Sequence, residues 1–236
     1  MQKGNELYRG KAKTVYATDD PELLIMEFRD DVSAFNAQKL ASLTRKGEVN
    51  NLFNAHVMTM LQKAGVATHF EKVLSKQESL VKRLQMVPVE CVVRNRAAGG
   101  ICKRLGLEEG IVLTPPVFEF FYKDDELGDP FINDSHILTF AWATQEEIKE
   151  MHKITLQVNE LLLPFFAKAG FYLVDFKLEF GRYHGQLVLA DEFTPDGCRI
   201  WDMETEQKFD KDRFRRDLGD VVEYYETAAK RLGISI

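Results

Sequence analysis

Phe171-Tyr-Leu-Val-Asp175-Phe-Lys177-Leu-Glu179-Phe-Gly181-Arg-Tyr-His-Gly185-Gln-Leu-Val-Leu-Ala190-Asp191-Glu-Phe193 is the stretch on which the reading of this chain turns. Two apolar runs, Phe171 to Phe180 and Gln186 to Phe193, are joined by Gly181-Arg-Tyr-His-Gly185, the pattern of a β-hairpin. Side chains alternate across a strand, so Asp175, Lys177 and Glu179 share one face while Phe176, Leu178 and Phe180 take the other. Asp191 joins the charged face only if the paired residue numbers sum to an even value, which needs an odd-length loop or a compensating irregularity. Carboxylates set among apolar residues are paired or bound to a cation. Two carboxylates with no thiolate or histidine beside them suit Mg²⁺, a hard ion that shares its oxygen ligands with nucleotide phosphates. The alternative is an internal ion pair between Lys177 and one of the acids.

Working outward, two helices flank this hairpin. Thr144 and Glu147 form a capping box, after which Ile148, Met151, Val158, Leu162 and Phe165 keep one face apolar as far as Gly170. Pro164 is predicted to kink that helix or end it early. A second helix is predicted from about Asp210 to Gly233, with Phe214, Leu218, Val222, Tyr225 and Leu232 on its apolar face. The N-terminal part reads as short strands at Leu7-Tyr8, Thr14 to Tyr16 and Leu23 to Phe28. A helix around Val49 to Leu61 follows, carrying His56 as a packed core histidine. Strand-like runs at Val66 to Leu74 and Ser79 to Leu84 come next, and Pro88 breaks the chain before the β-branched run Val89 to Val93. The expected architecture is α+β: a small, mostly antiparallel-β N-terminal domain over residues 1–86 and a larger α/β domain over residues 87–236.

Two basic elements stand out. Arg9-Gly10-Lys11-Ala12-Lys13 lies between two strand runs; it either covers a polyphosphate or is a solvated basic turn. Arg94-Asn-Arg96-Ala-Ala-Gly99-Gly100 leads from a buried strand through a glycine turn toward a helix, a plan that offers backbone N–H groups and arginine forks to an anion. Asp196-Gly197-Cys198-Arg199 adds a further anion contact just after the acidic hairpin. Neither a P-loop nor a dinucleotide fingerprint is present.

The chain has 236 residues and a formal net charge of −6, which argues against nucleic acid or an anionic membrane as a partner. Any anion it binds must be met by a local cluster of Lys and Arg. Cys91, Cys102 and Cys198 make no metal-type spacing and fit unpaired thiols of a reducing compartment. With no signal peptide or membrane-length apolar run, the expected location is cytoplasmic.

Taken together, Leu7-Tyr-Arg-Gly-Lys-Ala-Lys13, Met86-Val-Pro-Val-Glu-Cys-Val-Val-Arg94-Asn-Arg-Ala-Ala-Gly99, Leu173-Val-Asp175-Phe-Lys177-Leu-Glu179-Phe-Gly181 and Asp191-Glu-Phe-Thr-Pro-Asp196 resemble the SAICAR synthetase family over essentially the whole chain. The resemblance implies an ATP-dependent ligase of purine biosynthesis that condenses CAIR with L-aspartate, with its ATP site in a kinase-like or ATP-grasp-like cleft between two domains. It implies that Lys11, Ala12 and Lys13 lie on the ATP phosphates, that Met86 meets the adenine at a hinge, and that Glu179 and Asp191 hold Mg²⁺. Lys177 and Asp175 would flank the reacting carboxylate. Arg94, Gly100, Arg199, Asp196, Ser33 and Asn36 would contact substrate, and the assembly would be a homo-oligomer, most often a dimer. The family's arginine motif ordinarily ends Gly-Ser, whereas this chain has Gly99-Gly100. A side-chain hydroxyl expected on the ribotide is therefore missing.

Overall fold

The computed structural model describes residues 2–34 and 38–236. Strands β1 (Lys3–Arg9), β2 (Lys13–Thr18) and β3 (Leu23–Phe28) are followed by the small hairpin β4 (Asp31–Ala34) and β5 (Lys39–Ser42) and by helix α1 (Lys46–Lys63). Then come β6 (Phe70–Val73), β7 (Glu78–Lys82), β8 (Gln85–Arg96), α2 (Gly100–Leu105), β9 (Val112–Tyr122), β10 (Phe131–Ile132), α3 (Asp134–Thr139) and α4 (Gln145–Lys168). The chain ends with β11 (Phe171–Tyr183), β12 (Gln186–Ala190), β13 (Cys198–Asp202), α5 (Asp212–Arg215) and α6 (Val221–Arg231).

The strands form an N-terminal sheet ordered β1-β2-β3-β7-β6 and a larger sheet ordered β10-β9-β8-β11-β12, with β13 also on β11; every pairing within them is antiparallel. This is the α+β architecture expected. β11 is the spine of the larger sheet, because Phe176, Leu178 and Phe180 are buried on one face against α4 residues such as Val158, Leu162 and Phe166. Each such side chain contributes roughly 1.5–3 kcal/mol by leaving water. Helix α4 begins at the Thr144–Glu147 capping box, and Glu147 then pairs with Arg182, which fixes the helix to the hairpin.

Four local readings are corrected. α4 does not end early at Pro164 but runs on to Lys168. The C-terminal helix is not continuous: α5 and α6 are separated by left-handed Asp217, Gly219 and Asp220, and Leu218 there is exposed rather than on an apolar face. β8 runs through Pro88 instead of starting after it, and its register with β11 shifts between Glu179 and Gly181, opposite this segment. The acidic hairpin turns on two residues, His184-Gly185, both at positive φ, rather than on five. His56 stacks on Phe165 at 5.8 Å between ring centroids, but it is half-buried beside the core rather than within it.

The two sheets are joined by segment 67–69. Leu189 of β12 donates to Ala67, His69 donates back to Leu189, and Lys82 of β7 donates to His69. Helix α1 supplies Phe53, Val57, Met58 and Leu61 to the main core. None of the helices among the described residues is long and apolar enough to cross a membrane.

Candidate active site

The site arises from how β11 shares its edges. One edge is filled by β8; the other is divided, β13 pairing with Phe171 to Phe176 and β12 with Glu179 to Tyr183. The chain linking β12 to β13, residues 191–197, therefore leaves the sheet at the division, where the Lys177 N–H donates to Gly197. Lys177 and the residues of that link are thus brought together by topology. They line a cavity of about 960 Å³, which the N-terminal hairpin covers with Gly10, Lys11, Ala12 and Lys13.

Asp191 reaches this cavity by an irregularity. β11 pairs Glu179 with Ala190, so regular alternation would put position 191 opposite Leu178 on the apolar face. The strand stops at Ala190 and Asp191 adopts φ 56°, turning its carboxylate toward the charged side. Its carbonyl is held by the imidazole Nε2 of buried His69 at 2.9 Å. Burial drives the His69 pKa down to about 4, so near neutral pH the ring is uncharged and Nε2–H donates to the carbonyl.

Two lysines clamp the acids. Lys13 pairs with Asp191 and lies 2.9 Å from Glu192. Lys177 is 2.6 Å from Glu90 and 2.8 Å from Glu179, and Lys123 adds a second ammonium 2.7 Å from Glu179. Burial alone would lower the Lys177 pKa, but the charges of Glu179, Glu90 and Asp191 outweigh it and hold the ammonium well above its ordinary range. Asp191 is likewise held below the carboxylate range: burial opposes ionisation, and Lys13, Lys177 and Lys123 overcome it. The internal pair of Lys177 with an acid thus exists beside further carboxylates. Glu179 and Asp191 present only oxygen donors, a pair whose chemistry fits a hard divalent cation that takes most of its shell from phosphate and water. Among the described residues, no group of three or more Asp, Glu, His or Cys is placed to hold a metal ion.

A second group lies deeper. Buried Asp175 accepts from Arg94 at 2.8 Å and from Arg199 at 2.7 Å. Arg94 also bonds Glu119 at 2.6 Å, and Arg199 bonds Asp212 at 2.9 Å. Burial would raise the Asp212 pKa, yet Arg199 and Arg215 keep it at about 2. The free arm of the Arg199 fork lies against Gly99, where a Cβ would sit 2.4 Å from Nη2; at φ 64° and ψ −128° this residue is a glycine for both reasons. Asp196 is fully engaged, by Lys46, by Asn50 at 3.0 Å and by the Tyr225 hydroxyl at 2.8 Å.

Of the residues singled out from the sequence, Lys11, Ala12, Lys13, Met86, Arg94, Gly100, Asp175, Lys177, Glu179, Asp191, Asp196 and Arg199 all line the one cavity. Ser33 is buried on β4 and does not line it, and Asn36 lies outside the described residues. Glu90, Lys123, His69 and Lys211 escaped sequence reasoning. Only Glu90 carried a signal, its even spacing from Arg94 along one strand.

Fold and site define an α+β protein whose lysines, arginines and acids are gathered around one cavity. A sequence model described as SAICAR synthetase matches residues 6–232, and the chain belongs to this family of enzymes. It is 61% identical over 236 residues, the whole of both chains, to the phosphoribosylaminoimidazole-succinocarboxamide synthase of Pseudomonas entomophila. Among solved structures, the synthase of that name from Ehrlichia chaffeensis is 42% identical, with a TM-score of 0.96 over 98% of this chain and all of the other. A SAICAR synthetase solved in complex with ADP is 45% identical, with a TM-score of 0.93 over 95% of this chain and 96% of the other.

Proposed function

We propose that this enzyme is an ATP-dependent carbon–nitrogen ligase of de novo purine biosynthesis. It would condense CAIR, 5-amino-1-(5-phospho-D-ribosyl)imidazole-4-carboxylate, with L-aspartate to give SAICAR, ADP and phosphate. The observation that carries this reading is that the lysine–carboxylate clamp and the Arg94–Asp175–Arg199 group open into the same cavity. One seat suits a polyphosphate and the other a phosphorylated carboxylate.

The residues divide the work as follows. Lys11 and Lys13 of the covering hairpin neutralise the ATP phosphates, the Ala12 backbone approaches them closely, and Met86 at the start of β8 meets the adenine. Glu179 and Asp191 would hold Mg²⁺, which when bound there would supply charge neutralisation at the γ-phosphoryl group. Arg94, Arg199 and the N–H groups at Gly99-Gly100 seat the ribotide phosphate, and Asp175 orients both arginines rather than touching the reacting atoms. Lys177 stays protonated beside the reacting carboxylate. Asp196 fixes the turn at residues 194–197 through Lys46, Asn50 and Tyr225. Ser33, on β4, and Asn36 are retained as candidate substrate contacts.

A carboxylate is a poor electrophile because its leaving group is oxide. Transfer of the γ-phosphoryl group breaks its bond to the β-phosphate oxygen and forms a bond to the CAIR carboxylate, giving an acyl phosphate. The aspartate amine then attacks the acyl carbon, the C–N bond forms, phosphate leaves and the amine gives up a proton. Positioning and charge neutralisation carry such a reaction, so no protein nucleophile is required.

The small N-terminal sheet and the larger sheet act in this proposal as cover and floor of the cleft. A cytoplasmic location suits the three free cysteines, and a homodimer completes the reading, to be measured by sedimentation. The decisive experiment is a coupled assay for ADP release with CAIR and Mg²⁺, with aspartate present or withheld, alongside chromatographic detection of SAICAR. ADP and SAICAR forming together are expected. ADP formed without aspartate, with phosphate retained on the ribotide, would make the enzyme a small-molecule kinase instead.

A further inference from the structure

Nearly every cation of the cavity already has its counter-charge. Apart from exposed Arg83 and from Lys211, each Lys or Arg lining the cavity has a carboxylate within 4.0 Å among the described residues. Lys211, the residue before α5, has no ion pair and no side-chain hydrogen bond among them. Its backbone is fixed all the same. The Lys211 N–H donates to Pro195 at 3.1 Å, which docks the residue on the turn whose Gly197 carbonyl holds the Lys177 N–H. Lys211 thus borders the cavity beside the lysine at the reacting centre. Arg215, four residues on and on the same side of α5, lines the cavity as well and is tied to Asp212 at 2.6 Å.

We infer that Lys211 is the seat for a carboxylate of the amino-acid substrate. The inference rests on the proposed ligase reaction. In that scheme the polyphosphate occupies the Lys11 and Lys13 side and the ribotide phosphate occupies Arg94 and Arg199, leaving one anionic reactant, the dicarboxylic acid, without a cation. Exposed Arg83 aside, Lys211 is the cavity cation left without an ion-pair partner among the described residues. Its electrostatics agree: carboxylates push Lys13, Lys123 and Lys177 up, whereas burial brings Lys211 down to about 8, Asp196 only partly offsetting the effect and Arg215 and Lys46 adding to it. A carboxylate arriving at Lys211 supplies a direct counter-charge, since Asp196 and Glu192 act on the ammonium only through space and neither forms an ion pair with it among the described residues.

The test is steady-state kinetics of Lys211→Met and Lys211→Arg, each substrate varied in turn, with thermal melts to show that both variants fold. The Met variant is expected to raise KM for aspartate roughly tenfold or more, the loss of a charge-assisted hydrogen bond, while KM for CAIR and for ATP stays within about twofold. The Arg variant is expected to recover most of the aspartate affinity. An unchanged aspartate KM in Lys211→Met, or a rise in the CAIR KM instead, overturns the assignment. A wild-type enzyme that makes no SAICAR overturns the ligase reading itself, and this seat with it.

Discussion

Asp191 shows how much one backbone angle decides. At φ 56° it leaves the hairpin's alternation and faces Lys13, and the His69 ring holds its carbonyl there. His69 is a positioning residue in this arrangement, since it touches neither phosphate nor substrate in the proposed scheme. His69→Ala should lower kcat/KM for ATP by roughly tenfold, the worth of one buried hydrogen bond, with the aspartate KM little changed. His69→Gln, whose amide reaches a similar position, should restore part of the loss. Glu179→Gln, by contrast, removes a proposed metal ligand and should abolish Mg²⁺-dependent ADP release while the thermal melt stays near wild type; wild-type turnover would contradict the metal assignment. The shared face of Asp175, Lys177 and Glu179 was legible because strand alternation is local. The approach of Glu90, Lys123, His69 and Lys211 was not, because each comes from a different element and only the sheet topology brings them together.

At the scale of elements, the part hardest to read was the C-terminus. An apolar spacing of three and four predicts one helix from Asp210, but the chain uses Asp217, Gly219 and Asp220 to turn between two helices. The spacing survives the break because both pieces bury apolar residues, Phe214 from α5 and Val221 and Tyr225 from α6, in one cluster. Asp210 anchors the junction by accepting from Ile200 of β13 and from Asp212 of α5, both at 2.8 Å. Burial first, and then the Asp212 charge, raises its pKa to about 7. The folded protein therefore keeps this proton to about pH 7, whereas the unfolded chain releases it near pH 4. The unfolded state binds fewer protons between those values, so this contribution to stability is present at low pH and lost as pH rises through about 4 to 7. Urea midpoints of wild type and Asp210→Asn, compared across that window, should show the wild type losing ground to the variant as pH increases. A constant difference would contradict the shift. The long strands and α4 were legible because capping and alternation agreed with burial. Pro88 misled because a proline reads as a break unless the neighbouring register can absorb it.

On the scale of the whole molecule, a chain of net charge −6 concentrates its cations where the anions must go. Lys11, Lys13, Arg94, Lys177 and Arg199 all border one cavity, as the charge argument required, but each is paired with an acid. In the proposed scheme ligands would therefore exchange ion pairs rather than fill a bare positive hole, and a divalent cation would favour that exchange by replacing the ammonium partners of Glu179 and Asp191. A ligand at 100 times its Kd stabilises by about 2.7 kcal/mol, which at this chain length raises Tm by about 5–10 °C. Mg²⁺ with a non-hydrolysable ATP analogue should give a shift of that order in a thermal melt. A chelator should remove most of it, and a shift indifferent to the chelator would count against the metal. The strands of the two main sheets could be anticipated from the strand runs; the seam at residues 67–69 could not, since it is made by backbone groups that no side-chain pattern announces.

The neighbouring glycines Gly99 and Gly100, beside Arg199 and Arg104, differ in what can replace them. Gly99 is closed to drift, because any side chain there would displace the Arg199 fork and force a strained backbone. Gly100 has an ordinary backbone angle, and an added Cβ would meet only the guanidinium of Arg104 at 3.0 Å, a group held by Glu119. A serine at position 100 therefore needs only a small local adjustment of one neighbouring side chain, whereas any side chain at position 99 requires the arginine fork to be rebuilt.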